Sequence, residues 1–236
     1  MPTYLDLLAE LGIGGAHPGG FALTKCLLER ELPLFGKKIL DAGCGTGQTL
    51  YYLEQLGADA TGMDIDPRMI KKAKKRMLNT SVSLITGDIE SLPFQGQSFE
   101  YVLCESVAAF TNTEKSLSEL KRVLKPNGIL LLTEMTASEN MDENEKIEFT
   151  AFYKVPALLT QTQWRKRLDT AGFTEIDAFA MQDFDLDFSE SLTEFDIDKN
   201  VEPVYYELLD RHDALTLKFK DKITCMVYRC CTPPIF

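Results

Sequence analysis

The sequence predicts a doubly wound α/β fold, in which a mostly parallel sheet carries helices on both faces. From Lys37 onwards, short apolar stretches alternate with helical patterns, and this alternation indicates βαβ units. The first predicted strand runs directly into a glycine-rich turn. The predicted strands also end in acidic residues, and open sheets of this kind bind their ligands beyond the carboxyl ends of the strands.

The N-terminal segment is predicted to be helical around a glycine break. Residues 4–11 have the apolar spacing of a helix, and residues 21–32 are helical again. The stretch GIGGAHPGG at 12–20, between them, is rich in glycine and is predicted to be a turn region. No basic leader precedes an apolar stretch here, so the sequence does not predict a secretory signal.

The stretch ILDAGCGTGQTL, residues 39–50, joins a buried strand to a helix through a glycine turn. Asp41 ends the apolar run, and glycines follow at every second position, at Gly43, Gly45 and Gly47. Backbone N–H groups at the start of a helix bind anionic groups of nucleotides. The order of strand, glycine turn and helix therefore predicts a nucleotide-type ligand.

The next elements continue the alternation. The helix after the glycine turn is predicted to close at Gly57 as its C-cap. The following helix has Asp66 at its N-cap and Pro67 at its first position, where the missing N–H of proline is not needed. The remaining predicted elements of this half are strands at 58–65, 81–88, 99–106 and 129–135 and a helix at 113–125. The acidic residues at the five strand ends are Asp41, Asp64, Asp88, Glu105 and Glu134.

The second half of the chain is less regular. The predicted elements are a helix at 160–172, a strand at 174–181, a helix from residue 202 and a strand at 223–231, and LTLKFK at 215–220 fits either a helix or a strand. No repeat or linker indicates a second domain. Residues 1–236 are therefore predicted to form a single domain.

The glycine turn and the acidic strand ends narrow the choice of ligand. A P-loop requires a lysine after its glycines, and none follows here. The dinucleotide motif GxGxxG fails at Gln48, since the glycine comes one residue early at Gly47. Each nearby carboxylate would repel a diphosphate by on the order of 1 kcal/mol or more at ~4–6 Å. S-adenosylmethionine (SAM), with its cationic sulfonium and ammonium groups and its ribose hydroxyls, suits an acidic edge better.

Five stretches between residues 37 and 135 resemble, in order and separation, the successive motifs of class I SAM-dependent methyltransferases. They are ILDAGCGTGQT, TGMDIDPRMI, ITGDIESLPF, FEYVLCESV and LKRVLKPNGILLLTE. The resemblance implies a seven-stranded sheet with an antiparallel last strand, SAM as the cofactor, and methyl transfer as the activity. It also implies that residues 1–35 form a helical lid and that residues 136–160 and 182–222 cap the acceptor side.

The resemblance implies roles for individual residues. The motif from Asp41 to Gly47 matches the segment around the methionine end of SAM. Asp64 matches the acid that accepts the ribose hydroxyls, with Ile65 on the adenine, and Asp88 and Ile89 match the pair that reads adenine. The predicted cofactor-binding residues are Asp41, Gly43, Cys44, Gly45, Gly47, Asp64, Ile65, Asp88, Ile89 and Glu105.

No residue of the sequence is decisively catalytic. Methyl transfer can proceed largely by holding the acceptor at attack distance, and a base is needed only if the acceptor must lose a proton. The candidates are His17, which could contact SAM or act as a base, and Glu105, which could orient an acceptor. Tyr153 and Trp164 could line the acceptor pocket, but core packing is the simpler expectation for both. Glu134 is interpreted as an ordinary strand-end carboxylate.

Composition and charge bear on partners and compartment. The net charge is −11, and the six cysteines, which show no C-x-x-C spacing, favour a cytoplasmic protein with reduced thiols. No metal site and no membrane span are predicted, and the net negative charge argues against nucleic-acid binding. The basic run at 71–76 is expected to be a solvated helix face.

The acceptor is predicted to be an unidentified small molecule that is neutral or cationic. After the fourth strand the sequence CESVAAF lacks the Asn/Asp-Pro-Pro-aromatic motif of base-amine methylation, and it also lacks the Pro-Cys of cytosine methylation. An RNA methyltransferase and a non-catalytic SAM-binding protein of the same fold remain alternatives. The methylated atom and the oligomeric state are not determined by the sequence.

Overall fold

A computed structural model of the chain describes residues 1–186, 194–197 and 200–234. The helices in this part of the chain are α1 (Tyr4–Leu11), α2 (Gly20–Arg30), α3 (Gln48–Gln55), α4 (Pro67–Arg76), α5 (Thr113–Val123), α6 (Glu143–Tyr153), α7 (Gln161–Ala171) and α8 (Pro203–Lys218). The strands are β1 (Ile13–Gly14), β2 (Lys38–Ala42), β3 (Asp59–Asp64), β4 (Ser83–Thr86), β5 (Phe99–Glu105), β6 (Leu124–Ala137), β7 (Thr174–Ala180), β8 (Glu194–Phe195) and β9 (Ile223–Cys231).

Seven strands form one sheet in the order β4-β3-β2-β5-β6-β9-β7. The pairs from β4 to β6 are parallel, whereas β9 runs antiparallel to both of its neighbours, β6 and β7. The chain order reverses at β2, which lies between β3 and β5. The doubly wound sheet with its antiparallel last strand is confirmed, and its switch point lies at the end of β2, where the glycine turn follows.

Helices cover both faces of the sheet because its strands are apolar on both sides. In β2 the consecutive residues Ile39 and Leu40 are fully buried on opposite faces. Ile39 packs in a cluster with residues of α2, α3 and α4, and Leu40 packs in a larger cluster with residues of α1, α5 and α7. The central strands are thereby held rigidly, and so are the loops at their carboxyl ends.

Local sequence signals account for several helix ends. The Asp66 side chain accepts from the N–H of Arg68 at the start of α4, with Pro67 in the first turn. Helix α3 ends at Gln55 with Leu56 as its C-cap, so the predicted C-cap Gly57, at φ 74°, lies one residue beyond the observed cap. The ambiguous residues 215–218 belong to α8.

A second, two-stranded sheet was not predicted. Ile13 and Gly14 of β1 pair antiparallel with Phe195 and Glu194 of β8. The described residues 194–197, which we call the strap, also bind α4 through the Lys75–Asp196 ion pair at 3.1 Å. Since Arg76 pairs with Glu194 and Lys72 donates to the Asp196 carbonyl, the basic run is not simply a solvated face. It is the partner of an acidic segment.

Candidate functional site

A cavity of about 1630 Å³ opens at the carboxyl ends of the parallel strands. This volume exceeds the ~300–1,000 Å³ that is typical of a pocket for one small molecule. Two walls of different chemistry line it. The carboxylate wall consists of the turn at 43–46 with the side chains of Asp41, Asp64, Asp88 and Glu105. The aromatic wall consists of the rings of Tyr4, Phe110, Phe149, Tyr153, His212 and Phe219.

The glycine turn brings backbone, rather than side chains, to the cavity. Gly43 has φ 95°, and a Cβ there would lie 2.2 Å from Cγ2 of Val107. Gly45 has φ 52°, and a Cβ there would meet no atom of the described chain within 4 Å, so this position faces open space. Gly47, at φ 80°, is the N-cap of α3 and faces Ala73. Gly47 is not among the cavity-lining residues, and its role is to turn the chain.

Asp64 ties the end of β3 to the glycine turn. Its Oδ2 accepts from the N–H of Gly45 at 2.9 Å, and its Oδ1 accepts from the N–H of Asp66 at 2.9 Å. Burial raises the pKa of Asp64, although the two backbone donors oppose that shift. Both carboxylate oxygens keep a further lone pair, so this side chain can accept hydrogen bonds from two neighbouring hydroxyls of a ligand.

Asp41 is a buried acid whose hydrogen bonding is incomplete. Its side chain is 3% exposed, and its Oδ2 has no hydrogen-bond partner among the described residues. Burial, together with the nearby carboxylates of Glu105 and Asp64, raises the pKa of Asp41 well above its usual range. Thr46 Oγ1 and Ser106 Oγ, which belong to other cavity-lining residues, are likewise buried without a partner in the described chain. Orphaned polar atoms around one cavity are expected to bind a polar ligand or ordered water.

The outer part of the carboxylate wall pairs an acid with apolar residues. Asp88 Oδ1 accepts from the N–H of Glu90 at 2.8 Å, and Asp88 itself is exposed. Ile89 is buried beside it, whereas Ile65 is 62% exposed although it lines the cavity. A large apolar side chain left open at a cavity rim can cover the flat face of a ligand ring.

Glu105 joins the N-terminal segment to the sheet. Its Oε1 accepts from Thr24 Oγ1 of α2 at 2.8 Å, and its Oε2 accepts from Thr49 Oγ1 of α3 at 3.3 Å. Nε2 of His17 lies 3.1 Å from the same Thr24 hydroxyl and 3.7 Å from Glu105 Oε1. His17 Nδ1 is 3.2 Å from the carbonyl of Pro18. Both ring nitrogens of His17 have partners, so this side chain links the N-terminal segment to Glu105.

The aromatic wall is built from segments that are distant in sequence. Tyr4 of α1 stacks on His212 of α8 with ring centroids 4.9 Å apart, and it meets Tyr153 of α6 edge-on at 4.9 Å. The Tyr153 hydroxyl lies 2.8 Å from Nδ1 of His212. Burial lowers the pKa of His212, and the neighbouring carboxylate of Asp213 opposes that shift. The wall therefore carries a neutral imidazole within an apolar surface.

Glu134 is fully buried, in contrast to its interpretation as an ordinary strand-end carboxylate. Its Oε1 accepts from the N–H groups of Ala108 and Ala109 at 2.8 and 3.3 Å, and its Oε2 has no partner among the described residues. Burial raises its pKa to about 8. It fixes the short 3₁₀ turn Ala108–Phe110, which carries Phe110 into the aromatic wall.

The structure brings the predicted cofactor residues, apart from Gly47, to one cavity, together with the candidates His17 and Glu105. Trp164 is instead fully buried against Tyr228, as core packing predicts. The sequence reasoning missed His212, which lies in an ordinary helical stretch and meets Tyr153 only in the fold. It also missed Thr24, a buried partner of Glu105.

Within residues 1–186, 194–197 and 200–234, no group of three or more His, Cys, Asp or Glu side chains is arranged to hold a metal ion. None of the helices in this part of the chain combines the length and the apolar character required for a bilayer span.

Sequence comparison matches residues 40–132 to the family described as "Methyltransferase domain". The chain is 40% identical over 217 residues to "Uncharacterized methyltransferase YodH" of Bacillus subtilis, a match that covers 91% of this chain and 93% of that protein. It is 34% identical over 118 residues to "Phthiotriol/phenolphthiotriol dimycocerosates methyltransferase" of Mycobacterium leprae, and this match covers 49% of the chain and 44% of that enzyme.

Solved structures share the fold. The chain superposes with a TM-score of 0.77 and 21% identity on Haemonchus contortus phosphoethanolamine N-methyltransferase 2 in complex with S-adenosyl-L-methionine. That match covers 97% of this chain and 57% of the worm enzyme, so the chain spans little more than half of that protein. Geranyl diphosphate methyltransferase, in complex with GPP and sinefungin, gives a TM-score of 0.70 at 13% identity and covers 90% of this chain and 78% of that chain.

Proposed function

The chain belongs to the class I SAM-dependent methyltransferases, and we propose that it methylates a small organic molecule with a largely apolar body. The family membership makes the protein an enzyme with SAM as its cofactor. The acceptor is the open question. The observation that carries the proposal is the cavity of about 1630 Å³ with its two chemically different walls, which has room for a cofactor and a separate acceptor.

The carboxylate wall suits SAM. Asp41 Oδ2 is a buried acceptor without a partner in the described chain, and a cationic group of the ligand would satisfy it. Asp64 would accept the ribose hydroxyls, while Ile65 would cover the adenine. The open backbone at Gly45 leaves space for the methionine end. When bound, SAM supplies a methyl group on a positively charged sulfur.

The remaining residues of this wall would orient and enclose the cofactor. Asp88 and Ile89 would contact adenine, and Gly43 and Cys44 would complete the turn around the methionine end. Glu105 and His17 would close the N-terminal segment, residues 1–35, over the site through Thr24. Such a closure excludes water from the reacting groups.

The acceptor side supports a small molecule over a polynucleotide. The aromatic wall is a concave apolar surface, which suits an apolar acceptor. The basic run of α4, the feature that could favour RNA, is bound by the acidic strap. One relative is named for phthiotriol dimycocerosates and one solved structure is named for phosphoethanolamine, and neither name indicates a nucleic acid. A cytoplasmic location fits the same proposal.

The domain organisation remains part of the proposal. We treat the chain as one methyltransferase domain with a lid at 1–35 and acceptor-side segments at 136–160 and 182–222. Segment 136–160 contributes Phe149 and Tyr153 to the aromatic wall, and segment 182–222 contributes His212 and Phe219. Residues 187–193 and 198–199 of the last segment lie outside the described residues.

The test compares two acceptor pools. Purified protein with SAM labelled on the methyl group is mixed either with a low-molecular-mass bacterial extract or with total RNA, and calorimetry first measures SAM binding. We expect SAM binding and label in the low-mass fraction, with no change after RNase treatment of the extract. Label that enters only RNA would replace the small-molecule proposal with the RNA alternative. SAM binding without transfer to either pool would favour the non-catalytic alternative.

A further inference from the structure

The aromatic wall contains a hydrogen-bonded pair of polar side chains, Tyr153 and His212, in an apolar setting. Tyr153 is 3% exposed, and its hydroxyl lies 2.8 Å from His212 Nδ1. Tyr4 packs on both rings, stacked on the imidazole and edge-on to Tyr153. These contacts hold the imidazole in one orientation, as second partners of functional histidines generally do.

The charges around His212 favour the neutral imidazole. The titratable groups packed against it are Tyr4 from α1, Tyr153 from α6 and Asp213 from its own helix. Burial raises the pKa of both tyrosines, so their hydroxyls stay protonated. Burial lowers the pKa of His212, and the exposed Asp213 only partly opposes this shift. A neutral imidazole has one ring nitrogen with a free lone pair.

The hydrogen bond to Tyr153 bears on the position of that lone pair. If Nδ1–H donates to the Tyr153 oxygen, the lone pair lies on Nε2. Nδ1 is the ring nitrogen that Tyr153 engages, and His212 lines the cavity. Nε2 is then the atom of this wall that can receive a proton from a bound molecule.

We propose that the aromatic wall binds a neutral acceptor through a hydroxyl group, and that His212, held by Tyr153, takes the proton of that hydroxyl. The inference rests on the proposed function and names its substrate class: an alcohol or phenol with an apolar body, methylated at oxygen. In the transfer a lone pair of the acceptor oxygen forms the O–C bond while the methyl–sulfur bond breaks. The electrons of that bond remain on sulfur as a thioether, and the hydroxyl proton goes to Nε2 of His212.

A cationic amine fits this wall less well. An ammonium group has no free lone pair until it loses a proton, so it would have to be deprotonated before it could attack. Asp213, the nearby acid, is exposed. A neutral hydroxyl, by contrast, can donate directly to a neutral imidazole.

The first test observes the imidazole itself. The chain has two histidines, His17 and His212, so nitrogen NMR of the histidine rings gives two sets of signals, which His212→Gln assigns. The protein is saturated with S-adenosylhomocysteine and titrated with 4-propylphenol, with its methyl ether 4-propylanisole, or with 4-propylbenzylamine. We expect the phenol to shift the His212 ring nitrogens and the ether and the amine to leave them nearly unchanged.

The second test measures methyl transfer to 4-propylphenol from SAM. His212→Gln should lower kcat by about 100-fold or more, which is the usual contribution of a general base. Tyr153→Phe should lower kcat by roughly tenfold, because the imidazole loses the group that orients it. Tyr206→Phe removes a hydroxyl from the exposed part of the same helix as His212 and serves as the matched control, with no change expected.

The pH profile separates a base from a packing residue. In the wild type, kcat should fall as the pH drops through the lowered pKa of His212, because a protonated imidazole cannot accept the hydroxyl proton. The Gln variant should lose this dependence on His212 while its SAM affinity and melting temperature stay at the wild-type values.

The outcomes are distinguishable from those of the proposed function. If SAM does not bind, the proposed function fails. If SAM binds but the ether or the amine shifts His212 as much as the phenol does, the hydroxyl assignment is overturned. An absence of any His212 response to the phenol also overturns it, as does a Gln variant that keeps the wild-type rate and pH profile. The wild-type titration decides the question even if a variant fails to fold.

Discussion

The two walls of the cavity differ in how the chain builds them. The carboxylate wall comes from successive strand ends between Asp41 and Glu105, so its residues follow one another in sequence in the order of the βαβ units. The aromatic wall takes Tyr4 from α1, Tyr153 from α6 and His212 from α8. A continuous stretch of sequence can therefore specify the first wall, whereas the second exists only after three distant helices pack.

The walls also differ in electrostatics. Along the carboxylate wall, burial and neighbouring acids raise the pKa of Asp41 and burial raises that of Asp64, so the wall favours a cation. In the aromatic wall the tyrosines stay protonated and His212 stays neutral. One cavity therefore presents a surface suited to a charged ligand beside a surface suited to a neutral one. Substitutions in and around the walls test this difference.

The largest expected effect concerns the cofactor. Asp64→Ala should weaken SAM binding by more than about 100-fold, since two hydrogen bonds to a charged acceptor contribute roughly 1.5–3 kcal/mol each. The substitution also removes the acceptor for the Gly45 N–H. Asp59→Ala, at the exposed opposite end of the same strand, is the matched control and should bind as the wild type does. Calorimetry measures both affinities, and a change of less than threefold for Asp64→Ala would exclude Asp64 as a cofactor-binding residue.

The second prediction concerns Glu134, the buried acid that accepts hydrogen bonds from the 3₁₀ turn carrying Phe110. Glu134→Ala should destabilise the protein by ~2–4 kcal/mol, because it leaves two backbone N–H groups without an acceptor and opens a cavity. Glu134→Gln keeps an oxygen for Ala108 and Ala109 and should be at least as stable as the wild type at pH 8. Urea unfolding measures both. If Gln destabilises as much as Ala, the carboxyl has a role that an amide cannot replace.

Glu134 also predicts a pH dependence of stability. Its pKa rises from 4.5 to about 8 on folding, so the folded state binds a proton that the unfolded state has released across this interval. The stability that this group contributes is therefore fully present below about pH 4.5 and is lost as the pH rises towards 8. The Gln variant should show a flatter profile between these pH values, and equal slopes in the two proteins would contradict the prediction.

The third prediction concerns proton release at Asp41. Because its pKa is raised well above the usual range, the acid binds a proton that a cationic ligand would displace. SAM affinity should then rise with pH, by up to about tenfold per pH unit while Asp41 is protonated in the free protein. Calorimetry in buffers of different ionisation enthalpy detects the released proton. Asp41→Asn should abolish that release while Asp59→Asn retains it, and unchanged release in Asp41→Asn would assign the proton to another group.

The smallest effect concerns the strap. Lys75→Ala removes the ion pair to Asp196, and exposed pairs contribute less than about 1 kcal/mol. Since Phe195 of the strap lines the cavity, SAM should dissociate a few-fold faster at low salt, with the difference lost at high salt. Lys74→Ala, an exposed neighbour on the same helix, is the control. Stopped-flow dissociation measures the rates, and a salt-independent difference would rule out the ion pair as the cause.

The fold and the carboxylate wall were predictable because their signals are local. The N-cap at Asp66, the glycine turn and the alternating strands each depend on neighbouring residues. The strap and the burial of Glu134 were not predictable in this way. In sequence, residues 71–76 have the pattern of a solvated helix face, and only the fold places Glu194 and Asp196 against them. Glu134 likewise resembles the other strand-end acids in sequence, and only the fold brings the 3₁₀ turn over it.

Signals within short stretches of the sequence specify the order of the strands and helices, the family and the acidic row at the carboxyl ends of the parallel strands. These follow from hydrophobic periodicity, turn chemistry and motif spacing, which act over short distances along the chain. Three features arise only when the chain folds: Tyr153 meets His212, Thr24 binds Glu105, and one oxygen of Asp41 is left without a partner in the described chain. Such contacts depend on how helices pack across the sheet, and no periodicity of the sequence records that packing.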